Sequence, residues 1–169
     1  MAKRSNTRSR TPDAIKLLKN DHDEVSALFQ KYSKGHKRLS ESQKESLAQE
    51  ICQMLTVHTQ IEEEIFYPAC QEHVKGADEL LAEAKVEHQS AKDLIAKIEE
   101  GSPDSEDYDA EVIVLGEYVK HHIKEEQNEL FPKVRKSKLD LKELGQRLAE
   151  RKSSLMGAEE GEESSIAAE

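Results

Sequence analysis

Four segments of the chain place apolar residues at alternating steps of three and four, a pattern that predicts helices with one buried face. In each segment a histidine stands on that face, where an apolar residue is expected. These histidines are His22, His58, His88 and His122. In the second and fourth segments a glutamate, Glu62 or Glu126, follows the histidine by four residues. Residues at this spacing lie on one side of a helix, so each His-Glu pair points in a common direction.

Buried imidazoles and carboxylates cost several kcal/mol unless a partner compensates them. One such group can be satisfied within a core, but six at equivalent places in four helices require a shared partner, and metal fits best. Four imidazoles and two carboxylates without thiolate favour Fe or Mn, allow Zn, and disfavour Mg and Ca. Six side chains exceed the needs of one tetrahedral ion. The sequence therefore predicts a pair of ions, with Glu62 and Glu126 as bridging ligands.

The two His-Glu pairs belong to a duplicated pattern. His58, Glu62 and Pro68 recur with the same spacing as His122, Glu126 and Pro132. Each copy follows an acidic residue and a histidine, Asp21-His22 in the first half and Glu87-His88 in the second. Each half of the chain therefore supplies two histidines and a glutamate. Ferritin-like di-iron bundles use Glu-x-x-His instead, and no histidine here has a glutamate three residues before it.

The connections between the four segments are short, which predicts antiparallel neighbours. We therefore expect an all-α protein, an up-down-up-down four-helix bundle over residues 13–135. Leucines in residues 136–152 can form a short fifth helix. Residues 1–12 carry four basic and no acidic side chains, and 153–169 is rich in glutamate, so both ends are predicted to be flexible, disordered tails.

Composition narrows the classes of partner. The net charge of −10 argues against nucleic acid. No apolar run approaches a signal peptide or a membrane span, so we expect a soluble, cytoplasmic protein without a membrane partner. Cys52 and Cys70 fall on one predicted helix, too far apart to bridge, and are expected to be reduced.

Other polar residues near the pattern leave alternatives open. Asp21 and Glu87 can orient partner histidines by accepting hydrogen bonds, or can be surface charges. Glu63 is either part of a solvated face or an alternative ligand. His121 points about 100° away from His122 around the helix, so it is expected on the surface or behind a ligand.

The residues that follow the two glutamates are expected to be structural. Pro68 and Pro132 predict that their helices end or weaken nearby. Tyr67 and Phe131, directly before these prolines, are interpreted as packing residues at one end of the bundle.

Taken in order, Asp21-His22, His58-x3-Glu62, Glu87-His88 and His122-x3-Glu126 resemble the motifs of the hemerythrin-like, or HHE cation-binding, family. The resemblance covers about residues 13–135. It implies a four-helix bundle with a non-haem, oxo- or hydroxo-bridged di-iron centre, with Mn or Zn as substitute metals. By position, it assigns the ligands His22, His58, Glu62, His88, His122 and Glu126.

Two positions depart from the pattern of oxygen-carrying hemerythrins. These proteins have a further histidine four residues before that of the third helix, where this chain has Ala84. Their last carboxylate is an aspartate five residues after the fourth-helix histidine, whereas Glu126 follows at four. The resemblance is therefore to the iron-sensing and iron-centre-repair branches.

On this basis the protein is expected to bind or sense O₂ or NO, or to handle iron, in oxidative or nitrosative stress. The alternatives are a di-iron enzyme that turns over peroxide or NO, and a bundle with a purely structural metal. No catalytic residue is assigned, and no protein partner is identified.

Overall fold

A computed structural model describes residues 11–166 of the chain, with side chains to residue 157, and over this range the regular structure is helical. Residues 1–10 and 167–169, which belong to the predicted tails, lie outside the described residues. The predicted all-α class is confirmed. The α-helices are α1 (Ala14–Gly35), α2 (Glu41–Ile61), α3 (Tyr67–His73), α4 (Asp78–Glu100), α5 (Tyr108–Glu125), α6 (Phe131–Lys136) and α7 (Leu141–Ile166).

Local signals in the sequence set where the first two helices begin. The Asp13 side chain accepts a hydrogen bond from the backbone N–H of Lys16 at 2.8 Å and so caps α1. Ser40 caps α2 in a reciprocal pair with Gln43, in which each side chain accepts from the other residue's backbone N–H. Such caps satisfy donors that a helix start leaves free.

Contacts at one end of the bundle show how the helices run. Near the end of α1, Tyr32 donates a hydrogen bond to Asp109, at the start of α5, at 2.7 Å. Lys44, at the start of α2, also contacts Asp109 at 2.7 Å. The end of α1 therefore meets the starts of α2 and α5. Since α4 returns from the far end to the start of α5, these helices alternate in direction.

The sequence predicted that helices end or weaken near Pro68 and Pro132, and they do end five and four residues later, at His73 and Lys136. Each proline lies inside a helical rod, just after a π-helical turn. The first turn, Glu62–Phe66, joins α2 to α3, and the second, Glu126–Leu130, joins α5 to α6. Each turn begins at one of the glutamates predicted to bind metal.

The π turns have a simple cause in the chemistry of proline. Proline has no backbone N–H, and its ring clashes with the carbonyl four residues earlier in an α-helix. A wider turn relieves this clash because its hydrogen bonds span five residues. The N–H of Tyr67 accordingly donates to the carbonyl of Glu62, and the N–H of Phe131 to that of Glu126.

The last helix is longer than the sequence predicted. A short helix over 136–152 and a tail over 153–169 were expected, but α7 extends from Leu141 to Ile166. The segment after residue 152 has no proline and is rich in Ala, Glu and Ser, and partly buried Leu155 continues the apolar face. Residues 11–166 thus form five long helical rods, so the four-helix count is not confirmed.

Helix α7 packs closely against the start of α1 at Gly145. A Cβ atom built on Gly145 would clash with the carbonyl oxygen of Pro12 and lie 2.8 Å from the backbone N of Ala14. These are backbone atoms and cannot move aside as a side chain can. The close approach of the two helices therefore requires a glycine at this position.

We expect Gly145→Ala to lower the free energy of unfolding by about 1–3 kcal/mol, the usual range for overpacking. Gly157→Ala is the matched control on the same helix, because nothing lies within 4 Å of its Cβ position. It should be neutral or stabilising by up to about 1 kcal/mol, the difference in helix propensity. Urea denaturation of both variants measures this difference, and equal stabilities would contradict the packing.

The buried histidines separate two apolar clusters. One contains Leu18 and Ile61, and the other contains Val25 and Leu55. On α1, His22 falls between Leu18 and Val25, so the polar centre crosses the bundle as a layer with apolar packing on both sides. Within residues 11–166, no helix combines the length and apolar character needed to cross a membrane.

Candidate metal centre

All six residues predicted as ligands meet in the layer between the two apolar clusters. Each has at most 8% of its surface exposed. The ring centroids of His22 and His58 are 5.0 Å apart, and those of His88 and His122 are 4.8 Å apart. The structure therefore brings the predicted set together from four helical rods. Metal binding by these residues stays a prediction.

Position A is the name we give to the space among His22, His58 and one oxygen of each glutamate. Nε2 of His58 lies 3.2 Å from Oε1 of Glu62, and Nε2 of His22 lies 3.2 Å from Oε2 of Glu126. All four of these atoms are buried without a hydrogen-bond partner. Since buried polar atoms in folded proteins are normally satisfied, this convergence indicates a site for a cation.

Position B is the matching space between His88 and His122. Their Nε2 atoms are 3.3 Å apart, and Nε2 of His88 lies 3.3 Å from Oε2 of Glu62. Glu62 thus directs one oxygen to each position. Glu126 does the same, with Oε2 at position A and Oε1 beside the hydroxyl of Tyr67 at position B. This division of oxygens is what two bridging carboxylates require.

Tyr67, interpreted from the sequence as a packing residue, lies at the centre of position B. Its hydroxyl oxygen is 3.3 Å from Oε2 of Glu62, 3.3 Å from Oε1 of Glu126 and 3.2 Å from Nε2 of His88. Nε2 of His122 is 3.5 Å away. The hydroxyl therefore gives the polar atoms at position B a hydrogen-bonding partner. The equivalent atoms at position A have no such partner.

The two halves of the chain differ at this point. Phe131 holds the position in the second half that Tyr67 holds in the first, five residues after the glutamate. Its ring stacks on His22, with centroids 5.9 Å apart, and offers no hydrogen bond. In the sequence, the Tyr-Pro and Phe-Pro pairs mark these two equivalent positions. The inward direction of the Tyr67 side chain becomes visible only with the π turn.

Each ligand histidine has a partner at its outer nitrogen. The Nδ1–H of His58 donates to Asp21 at 3.3 Å, and that of His122 donates to Glu87 at 2.8 Å. Of the two alternatives for Asp21 and Glu87, the structure supports the orientation of a histidine, which in each case belongs to the same half of the chain. A carboxylate at Nδ1 leaves Nε2 of each ring facing the centre.

The other two histidines have partners from the π turns. His88 Nδ1 lies 3.0 Å from Glu63, and His22 Nδ1 lies 3.0 Å from the side-chain amide of Gln127. Glu63 and Gln127 are equivalent residues, each directly after one of the two glutamates predicted to bridge. Glu63 therefore contacts a ligand from behind and does not face either position.

Burial and charge shift the acid–base properties of the centre. Burial alone would lower the pKa of His58, but the charge of nearby Glu62 and the hydrogen bond to Asp21 raise it to about 10. Burial opposes ionisation of Glu62, yet the His58 charge holds the pKa of Glu62 well below its usual range. Burial and the charges of Glu126 and Glu62 raise the pKa of Tyr67 well above its usual value.

The outer partners also favour their charged forms. Burial raises the pKa of Asp21, but hydrogen bonds from His58 and Lys152 outweigh it, so the net shift is downward. The hydrogen bond from His122 lowers the pKa of Glu87. Carboxylates therefore stand behind the histidines in their anionic form, which increases the basicity of the imidazoles toward a cation.

The remaining histidines lie away from both positions. His121 is exposed on the surface, with Nε2 3.1 Å from Glu125 and 3.6 Å from Glu87. His36 contacts backbone carbonyls in the turn after α1, and exposed His73 contacts Glu72. None of these three side chains faces the buried centre.

A cavity of about 30 Å³ adjoins the four ligand imidazoles. Its apolar walls come from Val25, Leu55, Ala91, Val119 and Ile123, and half-exposed Tyr118 stands at its edge. A space of this size holds a molecule of only a few atoms. The apolar walls disfavour charged molecules, which would lose their hydration on entry.

The donor set fits a pair of transition-metal ions. Imidazole and carboxylate ligands suit Fe, Mn and Zn. Neither Cys52 nor Cys70 belongs to the groups of possible metal donors found among the described residues. The buried orphan atoms at position A and the divided carboxylates give each ion its own donors. Two such groups, His22-His58-Glu62 and Glu62-His88-His122, each have donor atoms within 4.8 Å of one another.

Comparison with known proteins identifies the domain. The model of the Hemerythrin HHE cation binding domain matches residues 13–134. A crystal structure of a Hemerythrin HHE cation binding domain-containing protein from Mycobacterium kansasii has a similar fold, with a TM-score of 0.72 and 24% identity. That alignment covers 87% of this chain and 89% of the other. No curated protein matches the sequence.

The family model spans the four helical rods and all six predicted ligands. The resemblance drawn from the His-His-Glu motifs is therefore confirmed, and with it a metal-binding type of domain. This chain belongs to the hemerythrin HHE cation-binding domain family.

Proposed function

We propose that the protein binds two non-haem iron ions at positions A and B and uses them to bind or sense O₂ or NO, or to handle iron, under oxidative or nitrosative stress. The observation that carries this proposal is the set of four buried atoms without partners at position A. Position B has the same donor types, completed by the hydroxyl of Tyr67. The divided oxygens of Glu62 and Glu126 support a bridged pair of ions.

The small apolar cavity supports a diatomic ligand. It lies against the imidazoles and is too small for an organic substrate. Neutral diatomic molecules lose little hydration in an apolar space, whereas ions lose much. Position A is the better candidate for such a ligand, because Phe131 supplies no hydroxyl there and Tyr67 already occupies the equivalent place at position B.

Bound iron would supply redox chemistry and open ligand sites, and the chain would supply the surroundings. Asp21, Glu63 and Glu87 hold three of the histidines with Nε2 inward. Two apolar clusters on either side exclude bulk water from this layer. The hydroxyl oxygen of Tyr67 lies 3.3 Å from one oxygen of Glu62 and 3.3 Å from one oxygen of Glu126, so its proton can be donated to either carboxylate.

A second candidate is an enzyme that turns over peroxide or NO. Tyr67 favours it, since a hydroxyl within the centre is a proton donor that the sequence did not assign. Steady-state consumption of peroxide or NO by the iron-loaded protein, reduced at least about tenfold per bound iron in Tyr67→Phe, would place this candidate first. Equal rates in the two proteins would exclude a role of the hydroxyl in turnover.

Optical spectroscopy of the iron-loaded protein tests the leading proposal. Anaerobic reduced protein with two irons per chain should change its ligand-to-metal absorption on addition of O₂ or NO. A spectrum that never changes while chelation unfolds the bundle would indicate a structural metal instead. Iron content well below two per chain would contradict the proposal outright.

A further inference from the structure

Lys152 connects helix α7 to the candidate metal centre. Nζ of Lys152 lies 2.6 Å from Oδ1 of Asp21, whose other oxygen lies 3.3 Å from Nδ1 of His58. Nε2 of His58 faces position A, 3.2 Å from Glu62. A continuous line of contacts therefore joins α7 to the predicted ligands, although α7 lies outside the residues matched by the family model.

The burial of Asp21 gives this contact its importance. Asp21 is 4% exposed, so its charge has lost most of its hydration and depends on its two partners. The Lys152 side chain is only 25% exposed and supplies the opposite charge. Without Lys152, one carboxylate oxygen would face α7 unpaired, and Asp21 would gain from turning toward water and away from His58.

The other carboxylate partners are held within the four-rod bundle itself. Lys92 on α4 contacts Glu63 at 2.7 Å, and His121 on α5 lies 3.6 Å from Glu87. Only Asp21, among the three, takes its cation from α7. Position A is thus the position that depends on correct packing of the last helix.

We propose that Lys152 is a positioning residue of the metal centre, holding Asp21 so that His58 presents Nε2 to position A. The contact between Lys152 and Asp21 is then a condition for tight retention of the ion at position A. This inference rests on the proposed metal binding at position A. It does not depend on which metal binds there or on which gas the metal binds.

Arg151 provides a matched contrast on the same helix. Its guanidinium contacts Glu64 at 2.7 Å and 3.1 Å, so it also ties α7 to the bundle. Glu64 contacts Gln60 and no ligand histidine in the described residues. Loss of Arg151 therefore removes an anchor of α7 and leaves the Asp21–His58 pair in place.

The test compares Lys152→Met, Lys152→Arg and Arg151→Met in full-length protein loaded with Zn²⁺, which is diamagnetic. Two measurements are made: the rate of Zn²⁺ transfer to a chelator, and the NMR signals of the histidine Nδ1–H protons. In Lys152→Met we expect one ion to leave about 10-fold faster, the usual scale for loss of a ligand's outer partner. The His58 signal should shift, while those of His88 and His122 stay.

The controls separate positioning from anchoring. Lys152→Arg should restore the wild-type rate and signal, and Arg151→Met should change neither. If Lys152→Met resembles Arg151→Met in both measurements, Lys152 is only an anchor and the inference is wrong. If Lys152→Met fails to fold by circular dichroism, Lys152→Gln takes its place under the same criteria. Wild-type protein that binds fewer than two Zn²⁺ ions would instead refute the proposed metal centre.

Discussion

Glu62→Gln is expected to reduce the metal content from two ions per chain to fewer than one. Glu62 is fully buried, and its two oxygens lie 3.2 Å from His58 and 3.3 Å from His88. One side chain therefore serves both positions, and a neutral amide is a poor replacement for a bridging carboxylate. The substitution keeps the volume of the side chain, so the loss would reflect coordination and not packing.

Glu64→Gln is the matched control for this prediction. Glu64 lies in the same π turn but faces the surface, where it contacts Arg151. It should retain two ions per chain. Mass-spectrometric metal analysis of both purified variants measures the difference, with circular dichroism to show that each is folded. Two ions retained in Glu62→Gln would contradict the bridging role.

Tyr67→Phe is expected to weaken retention of the ion at position B and to destabilise the metal-free protein. The hydroxyl oxygen is within 3.5 Å of four atoms of the predicted ligands, and its removal takes away an O–H group that can donate to Glu62 or to Glu126. Loss of a partner for buried polar groups costs about 1–3 kcal/mol. In iron-loaded protein, loss of the ion at position B should also lower the ligand-to-metal absorption.

The control for Tyr67→Phe is Tyr32→Phe. Tyr32 is equally buried, and its hydroxyl donates to Asp109 at 2.7 Å, away from the centre. It should lose stability without any change in iron content or absorption. Urea denaturation of the metal-free proteins and chelator competition of the loaded ones give the comparison. Identical metal release from the two variants would show that the Tyr67 hydroxyl has no part in metal binding.

The six predicted ligands could be identified from the sequence because the buried positions of a helix recur at regular spacing. A histidine or glutamate on the apolar face of a helix is visible from its spacing alone, and duplication makes the pattern specific. The caps of α1 and α2 are likewise local, since Asp13 and Ser40 accept hydrogen bonds from backbone N–H groups three residues later. These features depend on residues close to each other along the chain.

Features that depend on contacts between helices could not be derived in this way. The partner of His58 is Asp21, which lies on another helix. Spacing along the chain could not decide whether Asp21 contacts a histidine or lies at the surface. The inward direction of Tyr67 follows from the π turn, and a proline permits either a helix end or a wider turn. Lys152 was not singled out, because its importance comes entirely from the position of α7 against α1.

The central claim is that two ions share Glu62 and Glu126 between two pairs of histidines. Anomalous diffraction at the iron edge, from crystals of the iron-loaded protein, tests it most directly. Two peaks are expected, one between His22 and His58 and one between His88 and His122, each in contact with both glutamates. A single peak, or iron bound instead at the surface cluster of Glu87, His121 and Glu125, would contradict this account.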